Sequence, residues 1–158
     1  MAVDMFLKLD GIKGEAQDSK HKGEIDITSW SWGLSQTGAF GTGGGGGTAK
    51  VSVHDASITK YVDTATCDLL LDCSNGKHIA TGNVTFRKAG ENPLEYMKIK
   101  LTDIIVSSVQ HSGAGELTSE SVSLNFAKFE IEYYQQNEDG SGTKAGNMGW
   151  DVKGNTKL

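Results

Sequence analysis

At 158 residues, with 37% apolar side chains, 21 glycines and one proline, the chain has the size of a single domain spanning 1–158, with an adequate but modest core. Its formal charge is −5 and lysine and arginine do not cluster, so it lacks the basic footprint of a nucleic-acid-binding surface. No run reaches membrane-helix length, and Asp4 and Lys8 interrupt what would be a signal peptide's apolar stretch, which predicts synthesis in the cytoplasm and no membrane insertion.

Met5, Leu7 and Leu9 alternate with polar neighbours, the period of a strand with one buried face. A polar connector, Gly11–Gly23, separates this run from Ile25 and Ile27, where the alternation resumes. Trp30, Trp32 and Leu34 keep the period on even numbers, so the phase flips near Ser29, as a bulge or bend requires. Long connectors that begin and end in strand tend to serve a function or a partner. Val51 and Val53 alternate after the glycine tract, and Ala56 and Ile58 continue in the opposite phase.

A helix is predicted over about 64–75, because Val62, Ala65, Leu69, Leu70 and Cys73 fall along one stripe. Asp63 or Thr64 can cap its start, and Gly76 can take the left-handed turn that ends it. Cys67 and Cys73 then lie about 9 Å apart along the axis on different faces, too far for a mutual disulfide. Val84 and Phe86 form a short strand, and Leu94–Val109 carries apolar residues on both sides, as in a central or doubly covered strand. Val122, Leu124 and Phe126 alternate on even positions, then Phe129, Ile131 and Tyr133 on odd ones. Asn137–Asn147 is polar and glycine-rich, and reads as a loop before a last strand at Met148, Trp150 and Val152. Three phase flips imply strong coiling, as in sheets that close on themselves, with an ordinary twisted sandwich as the alternative. The predicted class is mainly β: a rolled β-barrel of two antiparallel sheets with one flanking helix.

Motifs for chemistry are scarce. Gly41–Gly46 satisfies G-x-G-x-x-G, but a phosphate loop needs a helix N-terminus next, and here Val51-Ser52-Val53 begins a strand. A hairpin connection is the expected use. His21, His54, His78 and His111 are far apart, with no zinc-ligand spacing. No nucleophile elbow occurs. The sequence therefore predicts no catalytic, cofactor-binding or metal residues, no cofactor and no enzyme.

The non-core faces are more distinctive. Ser31 and Ser35 lie opposite the tryptophan face, and Ser121, Ser123 and Asn125 lie opposite Val122, Leu124 and Phe126. Small uncharged groups there suit either a confined wet passage or a mild exposed sheet surface. The connector's charges, Lys13, Glu15, Asp18, Lys20 and Lys22, suit a reversible contact that sets register more than strength.

Phe6-Leu7-Lys8, Gly11-Ile12-Lys13-Gly14-Glu15, Asp18, His21 and Trp30-Ser31-Trp32-Gly33 together resemble the start of the Hcp family, the hemolysin-coregulated proteins of bacterial type VI secretion. The likeness continues through Thr59–Asp63, Cys73, Gly76-Lys77-His78, Arg87–Gly90, Glu95-Tyr96, Leu124-Asn125-Phe126 and Gly149-Trp150. Gly43–Gly47 and the segment around Gln110–Glu116 vary among such chains, so contacts there do not carry over. The resemblance implies a homo-hexameric ring that stacks into a tube, with a spike protein, a contractile sheath and effector cargo as partners. It implies export to the medium or a target cell without a cleaved signal peptide, and a plain tube subunit without a fused effector domain. Within it, Ser31, Ser35, Ser121, Ser123 and Asn125 become lumen-facing candidates, and Lys13, Glu15, Asp18, Lys20 and Lys22 ring-stacking candidates. The competing reading is a barrel that binds a small ligand or glycan, with Trp30, Trp32 and Trp150 as stacking platforms.

Overall fold

The computed structural model describes residues 3–36, 38–39, 47–48 and 50–158. Its strands are β1 (Val3–Leu9), β2 (Ile25–Ile27), β3 (Ser29–Ser31), β4 (Leu34–Ser35), β5 (Gly38–Ala39), β6 (Gly47–Thr48), β7 (Ser52–Val53) and β8 (Ala56–Tyr61). Helix α1 (Thr66–Asn75) follows, then β9 (His78–Lys88), β10 (Leu94–Ala114), β11 (Leu117–Gln136), β12 (Gly142–Asp151) and β13 (Thr156–Lys157). The fold class is as predicted, mainly β with one helix.

All pairings are antiparallel, and the main sheet runs β13-β12-β11-β10-β9-β1-β2, with β8 also on β11 and β3 on β8. β2 and β3 are consecutive pieces of chain broken at Thr28, and the Thr28 amide donates to Thr59 O at 2.7 Å. The sheet therefore rolls round on itself: β2 closes on β1, and its continuation β3 closes on β8. The predicted phase flip near Ser29 is this bend. β5 and β6 make the expected hairpin, and the Gly41–Gly46 tract between them lies outside the described residues.

The long ribbon of β10 and β11 flips phase as well. On β11 Val122, Leu124 and Phe126 are buried, then Phe129 on the other parity. On β10 Ile99 and Leu101 are buried, then Ile104 and Val106. The flip coincides with a left-handed residue, Asp103 at φ 54°, a conformation that aspartate tolerates better than most side chains. Apolar residues on both parities of β10 thus reflect a face switch rather than a strand covered on both sides.

Other boundaries differ from expectation. β9 runs the full length from His78, not a short piece at Val84–Phe86, because it pairs with β1 on one edge and β10 on the other. The Asn137–Asn147 loop shrinks to a turn over 137–141, and β12 already starts at Gly142, held by backbone pairing to Gln136 rather than by an apolar pattern. The helix starts at Thr66 instead of Thr64. Asp63 organises the turn before it, accepting the Ala65 amide at 2.9 Å on its carboxylate and the Thr66 amide at 3.1 Å on its carbonyl. Gly76 ends it at φ 69°, as expected. Ala65 and Leu69 are buried, whereas Val62, Leu70 and Leu71 are exposed, so the stripe is narrower than it reads. Cys67 and Cys73 are free.

One core cluster fills the roll, from Leu7, Leu9 and Ile25 through Ile58 and Leu69 to Leu101, Ile104, Leu124 and Phe129. Beside it lies a buried ion pair. Lys60 and Glu120 are both 0% exposed, with Lys60 Nζ 2.5 Å from Glu120 Oε2 and 2.8 Å from Asp63 Oδ1. Thr66 donates to Glu120 Oε2 at 3.0 Å, and His111 Nε2 sits 3.0 Å from Glu120 Oε1. Burial pushes the Glu120 carboxyl up, but the hydrogen bonds from Lys60, His111 and Thr66 outweigh it and hold the group below the ordinary range. The network ties the start of α1 to β8 and β11. Removing one partner strands a buried charge, so Lys60→Met should lose about 3–5 kcal/mol in urea denaturation, and Lys60→Met with Glu120→Leu should recover most of it.

Candidate functional site

Four neighbouring strands carry the candidate surface. Ser31 on β3 pairs with Ser57 on β8, Ser57 with Ser123 on β11, and Ser123 with Ser108 on β10. One register step away, Ser29 pairs with Thr59, Thr59 with Ser121, and Ser121 with Gln110. Directly paired residues of an antiparallel sheet project to the same side, so these eight side chains form two rows about 14 Å across on the face away from the core. Their neighbours along the strands, Ile58, Val122 and Leu124, fill the core.

The rows contain no ionisable group. Ser57 and Ser123 hydroxyls lie 3.5 Å apart. The nearby carboxylate, Asp55, is engaged, accepting hydrogen bonds from Ser107 at 2.7 Å and Asn125 at 2.8 Å. Beyond the face switch the same two strands present a different surface: Lys98 pairs with Glu132 and Lys100 with Glu130. There Tyr134 donates to Glu132 at 3.0 Å and Lys144 Nζ lies 3.3 Å away, and both hold the Glu132 carboxyl down. One ribbon thus carries an uncharged half and a charged half.

Of the sequence candidates, Ser31, Ser121 and Ser123 fall in the rows, and Asn125 borders them through its bond to Asp55. Ser35 lies apart, on β4 in a separate two-stranded sheet, with its hydroxyl 3.2 Å from His54 Nε2. Ser57 and Thr59 were missed, although the alternation of Ala56 and Ile58 already places them on the non-core face. Ser108 and Gln110 were hidden by the extra residue in β10, where the register shifts between Val106 and Ser108.

The connector is a folded element. Ile12, Gly14 and Ala16 are buried at period two, while Lys13, Glu15, Lys20 and Lys22 are exposed. The Gly14 and Ala16 amides donate to Gly23 and Glu24 carbonyls at 2.8 and 2.9 Å. Gly14 has no room for a side chain, since a Cβ would run into the Glu24 carbonyl oxygen. Asp18 differs from the other charged candidates. Arg87 on β9 grips both its oxygens, at 3.0 and 2.5 Å, and reaches Asp4 at 3.0 Å. It is a fastening of the loop rather than a free contact group.

The tryptophans act as packing. Trp32 meets Phe129 edge-on at 4.8 Å and donates to His54 O at 2.9 Å, and Trp30 meets Phe86 edge-on at 5.8 Å. Trp150 also packs against the core and helps line an apolar cleft with Leu34, Val53 and Met148. No group of metal-ligating side chains assembles among the described residues.

Residues 6–133 match the family model for the type VI secretion system effector Hcp. The chain belongs to the Hcp family. It is 46% identical to Protein hcp1 of Pseudomonas aeruginosa over 99% of both chains. Its fold is similar to the crystal structure of Hcp1 from Salmonella typhimurium, with TM-score 0.79 and 37% identity over the whole of both chains. A structure described as a type six secretion system protein superposes with TM-score 0.92 at 26% identity, over 99% of this chain and 100% of that one. Hcp proteins are secreted structural tube proteins of type VI secretion, and the described residues contain no helix long and apolar enough to cross a membrane.

The Asp18 fastening has a pH signature. Hydrogen bonds from Arg87 hold the Asp18 carboxyl well below the usual carboxylate range. A lowered carboxyl adds stability that is complete above the unfolded-state value, about pH 4, and is lost as pH falls further. Acid unfolding followed by circular dichroism should therefore be less steep for Asp18→Asn than for the unaltered protein.

Proposed function

We propose that this chain is the tube subunit of a type VI secretion apparatus, closing into a six-membered ring that stacks into a hollow tube for effector cargo. The single observation that carries the reading is the pair of uncharged rows across β3, β8, β11 and β10, in a chain that belongs to the Hcp family. A wall of hydroxyl and amide groups offers passing protein only neutral, water-exchangeable hydrogen bonds, so contacts form and break without a trapping charge pair. In this reading Ser31, Ser57, Ser121 and Ser123 face the lumen, with Thr59 between them and Asn125 at the margin.

Ring closure requires a heterologous interface whose rotation closes, and stacking requires a second one. Lys13, Glu15, Lys20 and Lys22 on the connector are the stacking candidates, while Asp18 anchors the connector. A spike protein, a contractile sheath and effector cargo are the partners of this role, and export proceeds without a cleaved signal peptide.

Native mass spectrometry with negative-stain imaging tests the assembly: a six-subunit species with ring-shaped particles is expected, and a stable monomer overturns the ring. For the wall, Ser123→Cys should react with a bulky maleimide several-fold more slowly in rings than in dissociated subunits. Equal rates would place Ser123 outside the lumen. Deleting the connector would also remove buried Ile12 and Ala16, so the stacking test is charge reversal. Lys13→Glu with Lys20→Glu and Lys22→Glu should leave rings intact but shorten or abolish tubes, seen by electron microscopy.

A further inference from the structure

His21, on the connector, is 7% exposed and has both ring nitrogens in contact with carboxylates. Nδ1 lies 2.8 Å from Glu24 Oε2 and Nε2 lies 2.7 Å from Glu95 Oε1 on β10. An ionised carboxylate can only accept a hydrogen bond, and a neutral imidazole has a single N–H to donate. Both contacts are satisfied together only when the ring carries a proton on each nitrogen. We propose that a protonated His21 latches the connector to the barrel, so that docking of the connector is controlled by pH.

The surroundings favour the cation. The imidazole stacks on Phe6 of β1 at 4.4 Å and 11°, with Arg87 of β9 on the Phe6 ring at 5.1 Å. Arg87 opposes a second positive charge nearby, but Asp4 and Asp18 are paired with it. On the connector's own side stand Asp18 and Glu24, with Lys20 and Lys22 exposed. From β10 comes Glu95, with Lys98 3.5 Å behind it. Moving the proton to Glu95 instead would leave the Lys98 contact uncompensated. Burial pushes the Glu95 carboxyl up, yet the hydrogen bond and charge of His21, with Lys98, hold it below the ordinary range.

The sign follows from the geometry. A ring that has lost its second proton can donate to only one of the two carboxylates, so rising pH can act on the latch only by weakening it. The Arg87–Asp18 pair and the Thr64 hydroxyl bond to Lys13 O do not depend on the His21 proton, so the connector loosens at this point while the barrel stays folded.

Amide hydrogen exchange on the full-length protein tests this at Gly14, Ala16 and Gly23, whose N–H groups hold the connector's fold. With intrinsic rates corrected, protection at these three should fall about tenfold or more between about pH 6 and about pH 9, while β9 and β10 amides keep theirs. His21→Gln should give protection that no longer varies with pH, and Glu95→Gln, whose amide can donate to a neutral ring, should weaken the variation. Protection independent of pH in the unaltered protein overturns the latch, as does a variation that survives unchanged in His21→Gln. Nitrogen NMR of labelled histidine gives a second readout: His21 should show the imidazolium pattern wherever the three amides are protected, and a single-tautomer pattern under those conditions overturns the proposal. The consequence for tubes rests on the stacking role proposed above. A pH-dependent connector in a protein that forms no tubes would remove that role and leave the latch standing.

Discussion

A two-stranded ribbon of about twenty residues per strand would reach some 65 Å if it ran straight, several times the thickness of a small domain's core. Such a ribbon can keep one face buried only by curling, and curling here requires each strand to exchange the side that looks inward. The β10–β11 ribbon does this where Asp103 takes a left-handed conformation and the buried residues change parity. The chain does it again at Thr28, where β2 becomes β3. The roll of the sheet, the packing of Trp30 and Trp32 against its core and the separation of an uncharged from a charged outer surface all follow from these reversals.

Each reversal also sorts the polar residues. Before its switch β11 turns Ser121 and Ser123 outward, and after it Glu130 and Glu132. The same strand can therefore serve two environments without a change of secondary structure. The Lys60–Glu120 pair sits on the inward side of the uncharged half, directly behind the rows, and fixes β8 to β11 where those rows cross from one strand to the other. Buried pairs of this type gain little net stability, since desolvation offsets most of the attraction. Their value is that a slip of register by one residue would leave both charges unmatched.

Much of this was legible in the sequence because alternation writes burial directly into residue order. The flips at Ser29 and after Phe126 were visible as changes of parity, and the helix as a stripe that ends at Gly76. What alternation does not record is backbone pairing without apolar content, so the exposed length of β12 reads as loop. Consecutive isoleucines at 104 and 105 blur the switch on β10 into an apparently two-faced strand. The connector's fastenings are invisible for a different reason. Asp18 and Arg87 are 69 residues apart and His21 and Glu95 74 apart, so only the fold brings them together. Even so, the period-two pattern of Ile12, Gly14 and Ala16 was present in the order of residues, masked by the charged side chains between them.

The sheet's outermost strand, β13, is two residues long and carries Lys157. A free strand edge is a template for any other chain, and a long flat one invites fibres without defined geometry. β13 pairs only with Trp150 and Asp151, so the stretch of β12 from Gly142 to Met148 has no partner from β13, and what blunts it is the β-bulge where its register against Tyr133 and Tyr134 shifts, together with the charge of Lys144. The edge is thus guarded by irregularity and charge rather than by being short.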